Sequence, residues 1–419
     1  MNQDKTFQSE ITSENKHDVV TRLLKKMIFE KLQTLKHGNL TIQDKESSVN
    51  FGNNADSLKA TITVLDPLFY IDLFTKGSIG AAEAFINEKW KTNDLDSLMA
   101  IFAANKNILS ELDSGLVNFI KPVRFLEYWK QRNTISGSKK NILAHYDLPD
   151  ELFRLFLDKT MMYSSAIYPS ETASLYEAQN NKLRIIAESL NIKSGMSVLE
   201  IGSGWGALAI YLAKNYDCHV TTTTISENQY LEVQRRIQEN KLEDKITLLK
   251  LDYRLLEGSF DRIVSIEMIE AVGEKFLGTY LNKISTSLKD DGLALIQAIT
   301  ITDQVYDRAV KEVDFIKKFI FPGSFIPSIY AITTEAKENS DMRIIHQNDF
   351  ADQYAKTLKD WKKNFNANKD KLSSIGLNES FARMWNFYFS YCIGGFSERA
   401  IGVSHIIFAK PQYKNIFNN

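Results

Sequence analysis

Three closely spaced glycines end an apolar run at Val198–Gly206, VLEIGSGWG. Gly202, Gly204 and Gly206 suit a sharp strand-to-helix turn whose backbone a ligand can approach closely. Loops of this kind serve several nucleotide-type ligands, so the neighbouring residues decide. Glu200 precedes the first glycine by two residues, where a carboxylate can hold a ligand ammonium. The third glycine follows the second by two residues, rather than by the three of the dinucleotide fingerprint. Asp252 and Tyr253 follow the third strand of the pattern, where a carboxylate can accept from an adenine amine and a ring can cover the base. Taken together in order, these features fit S-adenosylmethionine. Read singly, Glu200 is a solvated strand end and Asp252 caps the next turn. Sugar hydroxyls are usually held by an acidic residue ending the second strand. Here that strand ends TTTTIS, so either Thr224 and Gln229 bond a ribose, or Ser226 caps a helix and Gln229 lies on its surface.

The elements that must position these residues alternate. Strands are expected at Ser197–Ile201, His219–Thr224, Ile246–Leu251, Arg262–Ile266 and Leu293–Ile299, with a late one at Val403–Ala409. Helical periodicity lies between them at Leu208–Asn215, Glu227–Asn240 and Leu277–Leu288. This rhythm implies an α/β fold, a largely parallel sheet with helices on both faces. Upstream, Val19–Leu35 reads as a basic amphipathic helix. It either packs on its own domain or lies on an anionic membrane surface. The runs LTIQ and LKATITVL, broken by NFGNNAD, read as strands, and Phe69–Ala103 reads as helical. Residues 1–110 are therefore expected to form a small α+β domain, 111–140 a linker containing the polar stretch Tyr128–Lys140, and 141–419 the catalytic domain.

With 51 Lys+Arg against 52 Asp+Glu, the chain is no globally basic nucleic-acid binder. The longest stretch without charge, Phe319–Thr334, is 16 residues and contains prolines and a glycine, short of the about 20 apolar residues of a spanning helix. The first 18 residues lack an apolar signal core, so a cytoplasmic location is expected. Two cysteines and six scattered histidines imply no metal site.

From about Gly38 to Ala409 the chain resembles the cyclopropane-fatty-acyl-phospholipid synthase family. These are S-adenosylmethionine-dependent enzymes that modify double bonds in lipid acyl chains. The resemblance rests on His145-Tyr146-Asp147-Leu148, Tyr163-Ser164-Ser165-Ala166, the VLEIGSGWG loop, Thr224-Ile225-Ser226 with Gln229, DYR at 252–254, Ile269–Gly273 (IEAVG) and Ile320–Gly323 (IFPG). Ser78–Trp90 looks like part of the family's N-terminal lipid-interacting domain. The resemblance implies a class I methyltransferase, Rossmann-like fold. It implies phospholipid acyl chains as substrate, reached by transient, peripheral association with the inner face of the membrane, and is compatible with a homodimer. By position it assigns Tyr163, Ser164, the glycine loop, Thr224, Gln229, Asp252 and Tyr253 to the cofactor. It assigns Glu270 and Tyr354 to a site for bicarbonate, the family's proposed proton acceptor, and Cys392 to an active-site cysteine. Four positions depart from the family pattern. Ser165 stands for a usual cysteine, Gln297 for a histidine, Glu267 for a glycine and Ala271 for a histidine. These changes put bicarbonate, and with it the product, in question.

Transfer of a sulfonium methyl to an isolated alkene leaves a cation that must lose a proton. Loss from the transferred carbon closes a cyclopropane, and loss from a neighbouring carbon gives a methyl-branched or methylene product. Aromatic faces stabilise such a cation, and the stretches Phe315–Phe325 and Trp385–Tyr391 are rich in them. Glu267 and Glu270, three residues apart, would project to one side of a helix and raise one another's proton affinity. One reading has Glu267 replace bicarbonate as the base, with Gln297 and Ser165 as a neutral hydrogen-bonding wall. The other turns Glu267 to solvent and leaves Glu270 gripping an anion. Cys392 is either a participant or a small apolar filler. Two further functions stay open at this level: methylation of a soluble small molecule, and a non-catalytic lipid-binding protein that retains the cofactor pocket.

Overall fold

Residues 19–106 and 148–414 are described by the computed structural model. The N-terminal 18 residues, the 111–140 linker and the His145–Asp147 part of the HYDL motif lie outside the described residues.

The first unit is built on period-two alternation. Helix α1 (residues 19–32) leads into β1 (Asn39–Gln43), β2 (Ser48–Gly52) and β3 (Lys59–Val64). Then follow α2 (Leu68–Ile86), the short β4 (Trp90–Thr92) and α3 (Leu95–Ala104). The sheet order is β2-β1-β3-β4, with β1 and β3 parallel. Ala60, Ile62 and Val64 put every second side chain of β3 into the core. Two expectations are corrected. NFGNNAD is not all turn: Asn50–Gly52 complete β2, because buried Phe51 packs edge-on against Phe29, centroids 5.1 Å apart. Phe69–Ala103 is not one helical stretch. Glu88 turns the chain at φ 58°, and the Trp90 indole N–H donates to the Ala81 carbonyl at 2.9 Å, fixing β4. Helix α1 packs one face on its own unit. Ile28 and Leu32 are buried, while Val19, Leu23 and Met27 are 66%, 58% and 38% exposed.

The second unit opens with α4 (Asp150–Phe156) and α5 (Leu175–Ser189). It continues through β5 (Ser197–Ile201), α6 (Ala207–Asn215), β6 (His219–Thr224), α7 (Glu227–Glu239), β7 (Ile246–Lys250) and β8 (Phe260–Ile266). After α8 (Leu277–Ser287) come β9 (Leu288–Ile301), α9 (Asp303–Lys311), α10 (Ile329–Asn339), β10 (Arg343–Asp349) and α11 (Ala351–Ala367). Helix α12 (Glu379–Ser397) precedes the last strand, β11 (Ile401–Ala409). The seven strands lie in the order β10-β11-β9-β8-β5-β6-β7. Strands β5 to β9 are parallel, and β11 runs antiparallel between β9 and β10. This is the Rossmann-like arrangement expected of a class I methyltransferase. Strand order reverses at β5, which lies between β6 and β8, so a crevice opens beyond its carboxyl end. Strand β10 was not anticipated: as an edge strand with an exposed burial pattern, it carries no apolar alternation to read.

The expected domain boundary is also corrected. Leu377–Glu398, and with it α12, clusters with the first unit rather than with the sheet. Gly394 of α12 lets the helices close tightly, since a Cβ there would lie 2.6 Å from the Met99 carbonyl carbon of α3.

Gly206 forms the N-cap of α6 at φ 85°, and a Cβ there would meet Val233 of α7 at 3.1 Å. Gly206→Ala is expected to lose roughly 1–2 kcal/mol of stability from the left-handed backbone alone. Urea unfolding reads this, and an unchanged midpoint would refute the steric account.

Candidate active site

A cavity of about 200 Å³ opens where β5, β6 and β8 end. Its lining includes Tyr163, Ser164, Glu200, Gly202, Gly204, Thr224, Gln229, Asp252 and Tyr253. The glycine loop is pinned over β6, with the Gly202 and Ser203 amides donating to the Thr223 carbonyl at 3.2 and 2.9 Å. Gly204, at φ 49° with open space where a side chain would stand, leaves the backbone bare on the cleft. Gly206 is the exception among the expected residues. It does not line the cleft, and its place beneath α6 is set by Val233.

Glu200, Thr224, Gln229 and Asp252 in the lining already have protein partners. Glu200 is buried and accepts from the Thr222 hydroxyl at 2.5 Å. Burial pushes its carboxyl up to about 8, only partly opposed by that bond. An ammonium arriving beside it would restore the charge. The Thr224 hydroxyl donates to the Gln229 side-chain oxygen at 2.8 Å, so these two act as one unit facing the cleft. Ser226 caps α7, as one alternative had it, but Gln229 is buried rather than on the helix surface. Asp252 caps the turn after β7 and grips Arg254 with both oxygens, at 2.8 and 2.6 Å. Tyr163 sits among rings, 5.2 Å from Trp361 and 5.4 Å from Phe153 between centroids.

The family model for mycolic acid cyclopropane synthetase matches residues 134–406. The chain is 34% identical to the cyclopropane-fatty-acyl-phospholipid synthase of Escherichia coli, over 84% of this chain and 89% of that protein. The chain belongs to this family. It is an S-adenosylmethionine-dependent methyltransferase, with the cofactor cleft that the fold and the glycine loop require. A tuberculostearic acid methyltransferase of Mycobacterium tuberculosis is 31% identical over 76% of each chain. The solved structure of the cyclopropane synthase MmaA2 from the same organism superposes with a TM-score of 0.61 at 30% identity, covering 65% of this chain and 98% of that one.

Where this chain departs from the family pattern, the structure draws the departures together. Glu267 follows β8 with φ 48°, a left-handed conformation that explains why glycine is usual there. Its Oε1 accepts from the Ser165 amide at 2.9 Å and from the Gln297 side-chain amide at 2.7 Å. Its Oε2 accepts from the Tyr354 hydroxyl at 2.6 Å. Glu267 also lines the cofactor cleft. Glu270 lies on the next short turn, Ile269–Ala271, so the two carboxylates do not share a helix face as their spacing suggested. Its Oε1 accepts from the Ile299 amide at 2.6 Å, while its buried Oε2 has no hydrogen-bond partner among the described residues. Burial and the neighbouring Glu267 charge push Glu270 up to about 8. Burial also raises Glu267, opposed by its Tyr354 bond and by Lys182.

Two residues at this site escaped sequence reasoning. His405 pairs across the sheet with Gln297, and its Nε2 lies 2.9 Å from the Gln297 oxygen. Burial holds its ring down to about 3, so it is neutral there. The Gln297 amide nitrogen faces two acceptors, Glu267 and the Ser165 carbonyl, so its oxygen must accept from the His405 N–H. Lys182 is wholly buried on α5 and donates to the Ser164 hydroxyl oxygen at 2.6 Å. Its spacing from Ala178 and Ile186 on the buried face was the available signal. Cys392 is on α12 in the first unit, outside this set.

Glu200 and Glu270 both titrate near 8 in the fold against an ordinary 4.5. The native state therefore binds more protons than the unfolded chain between these values, and stability falls as pH rises through that window. Urea unfolding at a series of pH values is expected to show this fall, flattening above about 8. Glu200→Gln should make it shallower; an unchanged slope would refute the burial account.

Proposed function

We propose that the enzyme transfers a one-carbon unit to the double bond of unsaturated acyl chains in phospholipids, giving a cyclopropane or methyl-branched chain. The carrying observation is the Glu267 carboxylate, fixed by three donors and bordering the cofactor cleft. Bound S-adenosylmethionine supplies an electrophilic methyl group. Tyr163, Ser164, Glu200, Gly202, Gly204, Thr224, Gln229, Asp252 and Tyr253 would hold it, since each borders the cleft.

A base is then needed for the proton of the alkylated chain. Bicarbonate does not fit. The Ser165, Gln297 and Tyr354 donors are already directed onto Glu267, and a further anion would face two carboxylates. Burial and the Glu267 charge raise Glu270 to about 8, so Glu270 holds a proton near neutral pH. The three donors favour the charged form of Glu267, leaving the proton on Glu270. Glu267 Oε2 accepts one hydrogen bond and retains a lone pair for the substrate's proton. A base whose affinity is raised toward the working pH is suited to this task. Gln297, oriented by His405, and Tyr354 hold the carboxylate still.

The substrate class draws support from relatives named for fatty-acyl phospholipid and tuberculostearic acid chemistry. Access at a membrane surface, from a cytoplasmic location, draws support from α1, where exposed Val19, Leu23 and Met27 stand beside Arg22 and Lys26. Among the described residues no helix is long and apolar enough to cross a membrane. The first unit, with α1, is read as the lipid-interacting part.

Expression in a host rich in unsaturated phospholipids should yield acyl chains heavier by one CH2, read by mass spectrometry. Unchanged lipids would overturn the reading. Glu267→Gln is expected to cut turnover by roughly 100-fold or more while cofactor binding persists. Added bicarbonate should leave the wild-type rate unchanged; a rate that rises with bicarbonate and ignores Glu267→Gln would sink the base assignment.

A further inference from the structure

The hydrogen bond of Lys182 goes to neither Glu267 nor Glu270, yet Lys182 is a buried cation beside the cofactor cleft. Its side chain is wholly excluded from solvent, and its one hydrogen bond goes to Ser164 Oγ at 2.6 Å. One turn earlier on α5, Gln179 donates to the Ser164 carbonyl at 3.0 Å. Both residues thus fasten Ser164, which borders the cleft. An ammonium donates and cannot accept. Ser164 Oγ must therefore be the acceptor in this pair, and its own hydroxyl proton is left to point elsewhere. Among the described residues it has no other partner.

The charge of the cleft says what that proton is for. The charged side chains of its lining are Glu200, Asp252 and Glu267, all acidic. Arg254, on the turn after β7, is held by Asp252. The amino-acid end of S-adenosylmethionine is a zwitterion. Glu200 suits its ammonium, but its carboxylate enters a site whose charged walls repel it. We infer that Lys182 is a positioning residue that turns the Ser164 hydroxyl into a donor for the carboxylate of the cofactor's amino-acid end. Burial lowers Lys182 to about 7, and the charges of Glu267 and Asp158 oppose that fall. An arriving carboxylate would favour the ammonium further. The inference rests on the placement of Ser164 at the cofactor cleft.

The test compares two ligands by equilibrium dialysis: S-adenosylhomocysteine, which has the amino-acid end, and methylthioadenosine, which lacks it. Lys182→Met should weaken S-adenosylhomocysteine by about 10-fold or more and leave methylthioadenosine within about 2-fold. Replacing a buried charge by an apolar chain of similar size is often neutral or stabilising, so the variant is expected to fold. Lys182→Gln takes its place in the same comparison if it does not. Ser164→Ala should give the same selective loss, and the double variant should be no worse than either single one, because the two act through one another. Equal weakening of both ligands, or additive losses, would reduce Lys182 to a packing role and overturn the inference. Failure of the wild type to bind S-adenosylhomocysteine would instead refute the cofactor placement itself.

Discussion

The Glu267 carboxylate takes hydrogen bonds from donors that are remote in sequence: the Ser165 amide, the Gln297 side chain and the Tyr354 hydroxyl. Each arrives on a different element, and each element needs its own fastening. Helix α11 holds the Ser165 segment by accepting the Ala166 and Tyr168 amides on Thr357 and Gln353. The same helix delivers Tyr354. Strand β9 delivers Gln297 because the parallel register sets Ile266 opposite it, and the Glu267 amide closes the ladder onto the Gln297 carbonyl at 2.8 Å. A buried carboxylate with fewer donors would be too costly to keep charged. The fold around this point is therefore constrained to supply all three.

That carboxylate sits at a backbone angle where glycine is the easy choice. A side chain at φ 48° costs about 1–2 kcal/mol. Hydrogen bonds to a charged group contribute about 1.5–3 kcal/mol each, which is enough to hold the residue there. In the family pattern, glycine, histidine and cysteine stand where this chain has Glu267, Gln297 and Ser165. Under the proposed base assignment these changes form one substitution of function, with an internal anion taking the donors that would otherwise hold an external one. A histidine is still used, but from β11. There His405 stays neutral and fixes the Gln297 amide rather than touching the carboxylate.

The glycine loop, the strands β5 and β6 and the order of the cofactor residues were legible, because each depends on local pattern. Ser197–Ile201 and His219–Thr224 form strands over the residues expected from their apolar and β-branched runs. What local pattern cannot carry is partnership across distance. Nothing near His405 distinguishes it from its apolar neighbours on β11, and its role follows only from the register with β9. Lys182 reads as a surface lysine on a polar helix until α5 is placed against the sheet. Helix α12 looked like catalytic-domain sequence because it follows α11 in the chain. Its small residue at Gly394 could not announce that α3 was the partner. Glu267 and Glu270 were given helical spacing, but the left-handed turn between strand and 3₁₀ helix removes that geometry.

The cleft and the base site share an electrostatic logic. Burial raises Glu200 and Glu270 to about 8, so the free enzyme holds protons there that ordinary carboxylates would release, while the rise at Glu267 is opposed by its donors and by Lys182. A cationic cofactor reverses this at Glu200, since an adjacent positive charge favours the carboxylate. Lys182 donates to Ser164 at the cleft, and its charge is among those that favour the charged form of Glu267. An apolar residue there would leave Glu267 more readily protonated and weaken it as a base. A fixed internal base must be neither too acidic nor already occupied by a proton, and the position of this lysine tunes both at once.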